Sequence, residues 1–179
     1  NYLMYRFVPS NQTLVSEIRK VSPGNCIRYN LISGEIKEEK YFNLTDIAID
    51  SSRNLLEYLK LAIERRAVSS QKVAALLSGG IDSSLVCHLL KNRVGNLHSY
   101  TLQVDGHDET GAAKAIAESL GIKNERIVLE PAGLESLSRL AYHLDDPYGD
   151  PIILALDQIF RTLSKSFRVV VTGEGADEI

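Results

Sequence analysis

From residue 73 onward, short apolar runs alternate with segments whose apolar residues recur at helical spacing. Val73-Ala74-Ala75-Leu76-Leu77 is a continuous apolar run of strand length. Such a run fits a strand covered on both faces. A helix is predicted from about Ser83, with Leu85, Val86, Leu89, Leu90 and Val94 on one face and Gly95 as its stop. A second strand is predicted over about 97–104, where Tyr100, Leu102 and Val104 alternate. Ala112, Ala113, Ile116, Ala117 and Leu120 mark the next helix, stopped by Gly121, and a third strand follows at about 126–129. Leu134, Leu137, Leu140, Ala141 and Leu144 mark another helix. After the loop Asp145-Asp146-Pro147-Tyr148-Gly149, Asp150-Pro151 pairs a capping residue with a proline suited to a first helical turn. That helix carries Ile153, Leu156, Ile159, Phe160 and Leu163, and a fourth strand runs over 168–172.

Strand–helix alternation of this kind predicts an α/β fold, a parallel sheet with helices on both faces. Single helices join the first three strands. Two helices and a loop separate the third from the fourth, enough chain to cross to the far side of strand one. The predicted order is therefore 3-2-1-4, with a switch point between strands one and four. Ligands of open α/β sheets bind beside such a switch, at the carboxyl ends of the strands.

Residues 1–44 differ from the rest. Pro23-Gly24 is a turn signal, and Cys26-Ile27-Arg28-Tyr29 and Glu35-Ile36-Lys37 flank Ser33-Gly34, which predicts a hairpin appendage. A helix with Leu55, Leu56, Leu59, Ala62 and Ile63 follows, with Asp50, Ser51 or Ser52 as its cap and Arg65-Arg66 in its last turn. The predicted division is a connector over 1–44 and an α/β domain over 45–179.

Composition narrows the class. The chain has 179 residues, 44% apolar and 24% charged, and a net charge of −3. That is a globular composition without the basic footprint of a nucleic-acid binder. Its apolar runs fall far short of the ~20 residues of a membrane-spanning helix. Cys26 and Cys87 lie far apart and make no metal or redox spacing, so the chain reads as cytoplasmic and reducing. His88, His98, His107 and His143 also show no metal spacing. The start at Asn1 and the stop at Ile179, just inside a glycine-rich motif, point to part of a longer chain.

The chemistry concentrates in Ser78-Gly79-Gly80-Ile81-Asp82-Ser83-Ser84, between the first strand and its helix. Gly79 and Gly80 let main-chain N–H groups approach an anion, and Ser83 and Ser84 add hydroxyls where a helix N-terminus favours phosphate. Asp82 would repel a phosphate unless a cation such as Mg²⁺ lay between them. The string is neither a Walker A motif nor G-x-G-x-x-G. The fourth strand ends in Thr172-Gly173-Glu174-Gly175-Ala176-Asp177-Glu178. Both motifs thus fall on the strands flanking the predicted switch. Asp82 and Asp177 would face one crevice and could share a Mg²⁺ on ATP phosphates. Asp145 and Asp146 are left as crevice or turn residues, and Asp150 as a structural cap.

The first motif looks like the pyrophosphate loop of enzymes that split ATP into AMP and pyrophosphate, the PP-loop ATP pyrophosphatases with an adenine nucleotide α-hydrolase-like fold. With TGEGADE, it resembles the synthetase half of glutamine-dependent asparagine synthetases. The likeness spans about 45–179. Lys20-Val21-Ser22-Pro23-Gly24-Asn25 and the stretch from Gly34 to Leu44, ending in Tyr41-Phe42-Asn43-Leu44, resemble the family's connector, and the 145–151 loop resembles its D-E-P-x-x-D-P/S loop, with Asp146 in place of Glu.

The resemblance implies adenylation of aspartate by Mg-ATP, release of pyrophosphate, and attack of ammonia on β-aspartyl-AMP. It makes Asp82 and Asp177 metal ligands. Ser78, Gly79, Gly80, Ser83 and Ser84 would hold pyrophosphate. The main chain around Leu76, Leu77 and Val104 would contact adenine, Gly173 would sit near the ribose, and Glu174 would assist the ammonia step. A glutaminase domain or subunit, and a homodimer, are compatible with it. The family's glutaminase half, with its N-terminal cysteine, is missing from these residues, so the chain alone would use free ammonia. Alternatives are another amide-forming enzyme of this fold, such as a β-lactam synthetase (which carries Tyr where Glu174 stands), and an ATP-binding module without catalysis. The GMP, NAD and argininosuccinate synthetases and the tRNA-thiolating enzymes are further relatives. The last need sulfur-carrying cysteines and a basic surface, which this sequence lacks.

Overall fold

A computed structural model gives the fold and describes residues 2–48, 52–67, 71–103, 110–131 and 133–175. The chain forms two compact units, one of residues 1–51 with 133–153, the other of 52–132 with 154–179.

The second unit carries the parallel sheet. Its strands are β3 (Val73–Leu76), β4 (His98–Gln103), β5 (Lys123–Val128) and β6 (Val169–Val171), in the order β5-β4-β3-β6. This is the order 3-2-1-4 expected from the connection lengths. All neighbours are parallel: Ala74 pairs with His98 and with Val170, and His98 pairs with Lys123. The strand after 121 begins at Lys123 rather than 126, because the polar run Lys123-Asn124-Glu125-Arg126 pairs along β4 although it lacks a strand's apolar pattern.

Alternation along β3 sorts the core into two layers. Val73, Ala75 and Leu77 pack with Cys87, Leu90, Ala113 and Ala117 of α3 (Ile81–Lys91) and α4 (Thr110–Leu120). Ala74 packs with Tyr100, Ile127, Phe167 and with Ile159 and Leu163 of α6 (Ile152–Leu163). The period of two along a strand is what gives each layer its own set. α4 ends in a Schellman motif: Gly121 N–H bonds the Glu118 carbonyl and Ile122 N–H that of Ala117, both at 3.0 Å.

The cap of α2 (Leu55–Arg66) is Asn54, not a residue of 50–52. Its side chain accepts the Glu57 N–H at 3.0 Å and the Glu57 carboxylate accepts the Asn54 N–H at 3.1 Å. This reciprocal capping box satisfies two orphan donors and fixes the start. α3 stops at Lys91, short of Val94 and Gly95.

The first unit contains the short helix α1 (Tyr2–Tyr5), the hairpin β1 (Asn25–Tyr29) and β2 (Ile36–Lys40), and α5 (Leu134–Leu144). The hairpin is antiparallel, with Asn25 opposite Lys40. Asn30 builds its turn: the side chain accepts the N–H groups of Ile32 and Ser33. The 145–149 loop is tied to the amino-terminal residues. The Lys20 ammonium pairs with the Asp146 carboxylate and donates to the Val8 carbonyl at 3.1 Å. Gly149 N–H bonds the Arg6 carbonyl at 2.7 Å. Asp150 caps as expected, its carboxylate accepting the Ile152 N–H at 3.0 Å.

Cys87 is wholly buried, and burial pushes its thiol up to about 11. A group held neutral in the fold stabilises it fully below the unfolded value. That contribution is lost as pH rises from about 9 through about 11. Wild type should therefore lose urea resistance over this window faster than Cys87→Ala. Parallel declines of the two proteins would show that the thiol contributes nothing.

Candidate functional site

Leu77 is the last residue the sheet holds before the first glycine-rich segment. It is 1% exposed, and its N–H donates to the Tyr100 carbonyl at 2.8 Å. Leu76, the last residue of β3, is half-buried. Beyond Leu77 the loop is braced by its own side chains. Ser83 Oγ accepts the Ser78 N–H at 3.2 Å, lies 3.0 Å from Ser78 Oγ, and donates to the Gly80 carbonyl at 3.3 Å. The Gly80 N–H donates to Ser78 Oγ at 3.3 Å. Ser84 Oγ also donates to the Gly80 carbonyl. Both hydroxyls of Ser83 and Ser84 thus serve the loop itself. To meet a phosphate, Ser84 would turn its hydroxyl away from the carbonyl four residues back.

Gly80 is the N-cap of α3, and no side chain caps this helix. α2, by contrast, has two donors satisfied by its box. An uncapped amino terminus leaves main-chain N–H groups and the positive end of the helix dipole open to an anion. A second helix start adjoins it: a Cβ at Gly79 would lie 2.9 Å from Ala112 Cβ and 3.0 Å from Ala113 N. The first turn of α4 was not a sequence-predicted part of the site. Its only signal is the small-residue run Gly111-Ala112-Ala113, which permits this approach.

The two glycine-rich segments touch. A Cβ on Gly173 would stand 2.8 Å from Ser83 N, 3.0 Å from Ser83 Cα and 3.1 Å from the Asp82 carbonyl carbon. The end of β6 therefore runs against the main chain of the first turn of α3, beside half-buried Asp82. Glu174 follows directly and is exposed. Val104 and Asp177 lie outside the described residues. Asp145, Asp146 and Asp150 belong to the other unit. Among the described residues no group of three or more His, Cys, Asp or Glu side chains forms a metal cluster. Carboxylate oxygens such as those of Asp82 and Glu174 are nonetheless the hard donors Mg²⁺ takes.

A cavity of about 510 Å³ lies elsewhere, lined by Lys72, His98, Tyr100, Glu125 and Phe167 among others. Lys72, His98 and Phe167 stand at or before the amino ends of the parallel strands, and Tyr100 and Glu125 pair with each other two residues inside theirs. It opens at the end of the sheet opposite the loop. Glu125 is already paired with Lys123 there, and burial, then the Glu125 charge, hold the Tyr100 hydroxyl above its ordinary value.

The Asparagine synthase family profile matches residues 54–179, which contain the whole sheet and both glycine-rich segments. The chain belongs to the asparagine synthase family. Among curated relatives of this family, it is 30% identical over 188 residues to asparagine synthetase [glutamine-hydrolyzing] 1 of Bacillus subtilis (strain 168), covering 99% of this chain and 29% of that protein. It is 26% identical to a putative asparagine synthetase [glutamine-hydrolyzing] of Mycobacterium tuberculosis (strain ATCC 25618 / H37Rv), covering 100% of this chain and 29% of that protein. The chain thus spans under a third of these relatives' length. Among solved structures, an NMN synthetase from Francisella tularensis is similar, with a TM-score of 0.47, 19% identity, and coverage of 70% of this chain and 57% of that one. Among the described residues no helix is long and apolar enough to cross a membrane.

Proposed function

We propose that these residues are the ATP-cleaving part of a cytoplasmic amide-forming ligase that adenylates the side-chain carboxylate of aspartate and passes the acyl group to ammonia. The observation that carries the reading is the contact of Gly173 with the uncapped first turn of α3. It joins the anion-competent start of α3 to the carboxylate-bearing segment after β6, at the carboxyl ends of adjacent strands. Family membership and the names of the relatives support the choice of aspartate. Those names also favour glutamine as the nitrogen source, through a glutaminase domain or subunit.

In this reading the carboxylate oxygen attacks the α-phosphorus of ATP and pyrophosphate leaves. The N–H groups of Gly79 and the start of α3 receive the pyrophosphate charge, joined by that of Gly80 once it leaves Ser78 Oγ, with Ser78, Ser83 and Ser84 shaping the loop around it. The main chain around Leu76, Leu77 and Val104 borders adenine, the Leu77 side chain itself being buried, and Gly173 lies near the ribose. Asp82 and Asp177 would hold Mg²⁺, which supplies charge neutralisation between the phosphates and these carboxylates. Ammonia then attacks the acyl carbonyl and AMP leaves. Glu174, next to the contact, takes the ammonium proton.

The test is pyrophosphate release by the whole protein with Mg²⁺, ammonium and a panel of acids. Release that requires aspartate and yields asparagine and AMP, at a rate on the order of 1 s⁻¹ or more, is the expected result. Release with another acid would replace the substrate. Mg-ATP binding without turnover on any acid would make the domain a nucleotide-binding module.

A further inference from the structure

The sheet buries polar side chains directly beneath the loop. Ser99 and Thr101 stand two residues apart on β4, hence on one face, and are 0% and 1% exposed. Ser99 Oγ lies 3.1 Å from the Lys123 carbonyl and 3.0 Å from Asn124 Oδ1. Thr101 Oγ1 lies 2.8 Å from the Leu77 carbonyl and 3.2 Å from the same Asn124 oxygen. Each hydroxyl owns one proton, so it cannot serve a main-chain carbonyl and the amide oxygen together. Turning the Asn124 amide over puts its nitrogen at that position. Its two N–H groups then donate to the two hydroxyl oxygens, and each hydroxyl gives its proton to a carbonyl.

We infer that Thr101, oriented by Asn124, is a positioning residue for the anion loop: its hydroxyl holds the Leu77 carbonyl where β3 gives way to Ser78-Gly79-Gly80. Successive residues of β4 thereby clamp both polar groups of Leu77, the Tyr100 carbonyl its N–H and the Thr101 hydroxyl its C=O. A residue fixed at both groups sets the direction in which the next N–H groups point. Sheet packing alone does not require the hydroxyl, since valine has the same shape. The link to ATP rests on the function proposed above; the clamp on Leu77 does not.

Hydrogen–deuterium exchange of the 77–84 segment in the whole protein tests this, beside Mg-ATP affinity and the thermal midpoint. Thr101→Val is expected to speed exchange in 77–84 and to weaken Mg-ATP binding, each by about tenfold, while Thr101→Ser stays near wild type. Asn124→Asp, which cannot donate, should share the loss even if the valine variant folds poorly. Leu163→Ala, in the other core layer, should lower the midpoint without loosening 77–84. Wild-type exchange in Thr101→Val and Asn124→Asp, or equal loosening in Leu163→Ala, would overturn the assignment. A wild type that ignores Mg-ATP sinks the ATP reading instead, and the exchange data still decide the clamp.

Discussion

Gly173→Ala will separate the two glycine-rich segments, at a cost of about 1–3 kcal/mol in stability and roughly a hundredfold in Mg-ATP affinity. The added methyl would meet main-chain atoms of Ser83 and Asp82 at 2.8–3.1 Å. These atoms belong to the first turn of α3 and cannot rotate aside as a side-chain tip can. Either β6 retreats or the first turn of α3 shifts, and the loop braced on Ser83 shifts with it. Gly175 supplies the control. Among the described residues nothing stands within 4 Å of its Cβ position, but its φ is +92°. Alanine there strains only its own backbone, by about 1–2 kcal/mol, and should spare nucleotide affinity. Urea unfolding and calorimetric titration of both variants check the pair. Equal affinities for the two would mean the contact at Gly173 does not shape the site.

Much of this arrangement can be read from the sequence, and the reasons are physical. A buried parallel strand must be apolar on both faces, so Val73 to Leu77 announces the centre of the sheet. The long connection before Arg168 gives β6 the reach to cross to the free edge of β3. Glycines at the ends of those two strands mark close approaches whatever the family. Boundaries were harder. Asn54 caps α2 because Glu57 can answer it, a reciprocity that Asp50 or the serines at 51 and 52 only imitate. β5 begins early because pairing, not apolarity, holds Lys123 and Asn124 in the sheet. Thr101 and Asn124 were invisible as a unit. They lie 23 residues apart in sequence and meet only through the β4–β5 register. The same holds for Lys20 and Asp146, joined across 126 residues with no periodic signal.

Asp82→Asn will separate a metal role from a scaffolding role, because the two predict opposite signs. Asp82 occupies the first turn of α3. A carboxylate there favours the helix by about 0.3–1 kcal/mol, so the amide should fold with little loss. Towards a bare phosphate the same charge is repulsive. Two unit charges 4 Å apart near a protein surface interact by about 4 kcal/mol before salt screening. Through a bridging Mg²⁺ the sign inverts, and losing the carboxylate should weaken Mg-ATP binding by roughly a hundredfold. With the metal chelated, ATP should bind the Asn variant as well as or better than wild type, since the repulsion has gone. Titrations with and without Mg²⁺ on both proteins give the four affinities needed. If the variant loses affinity equally in both conditions, Asp82 acts by holding the loop, and the metal must be sought on other carboxylates.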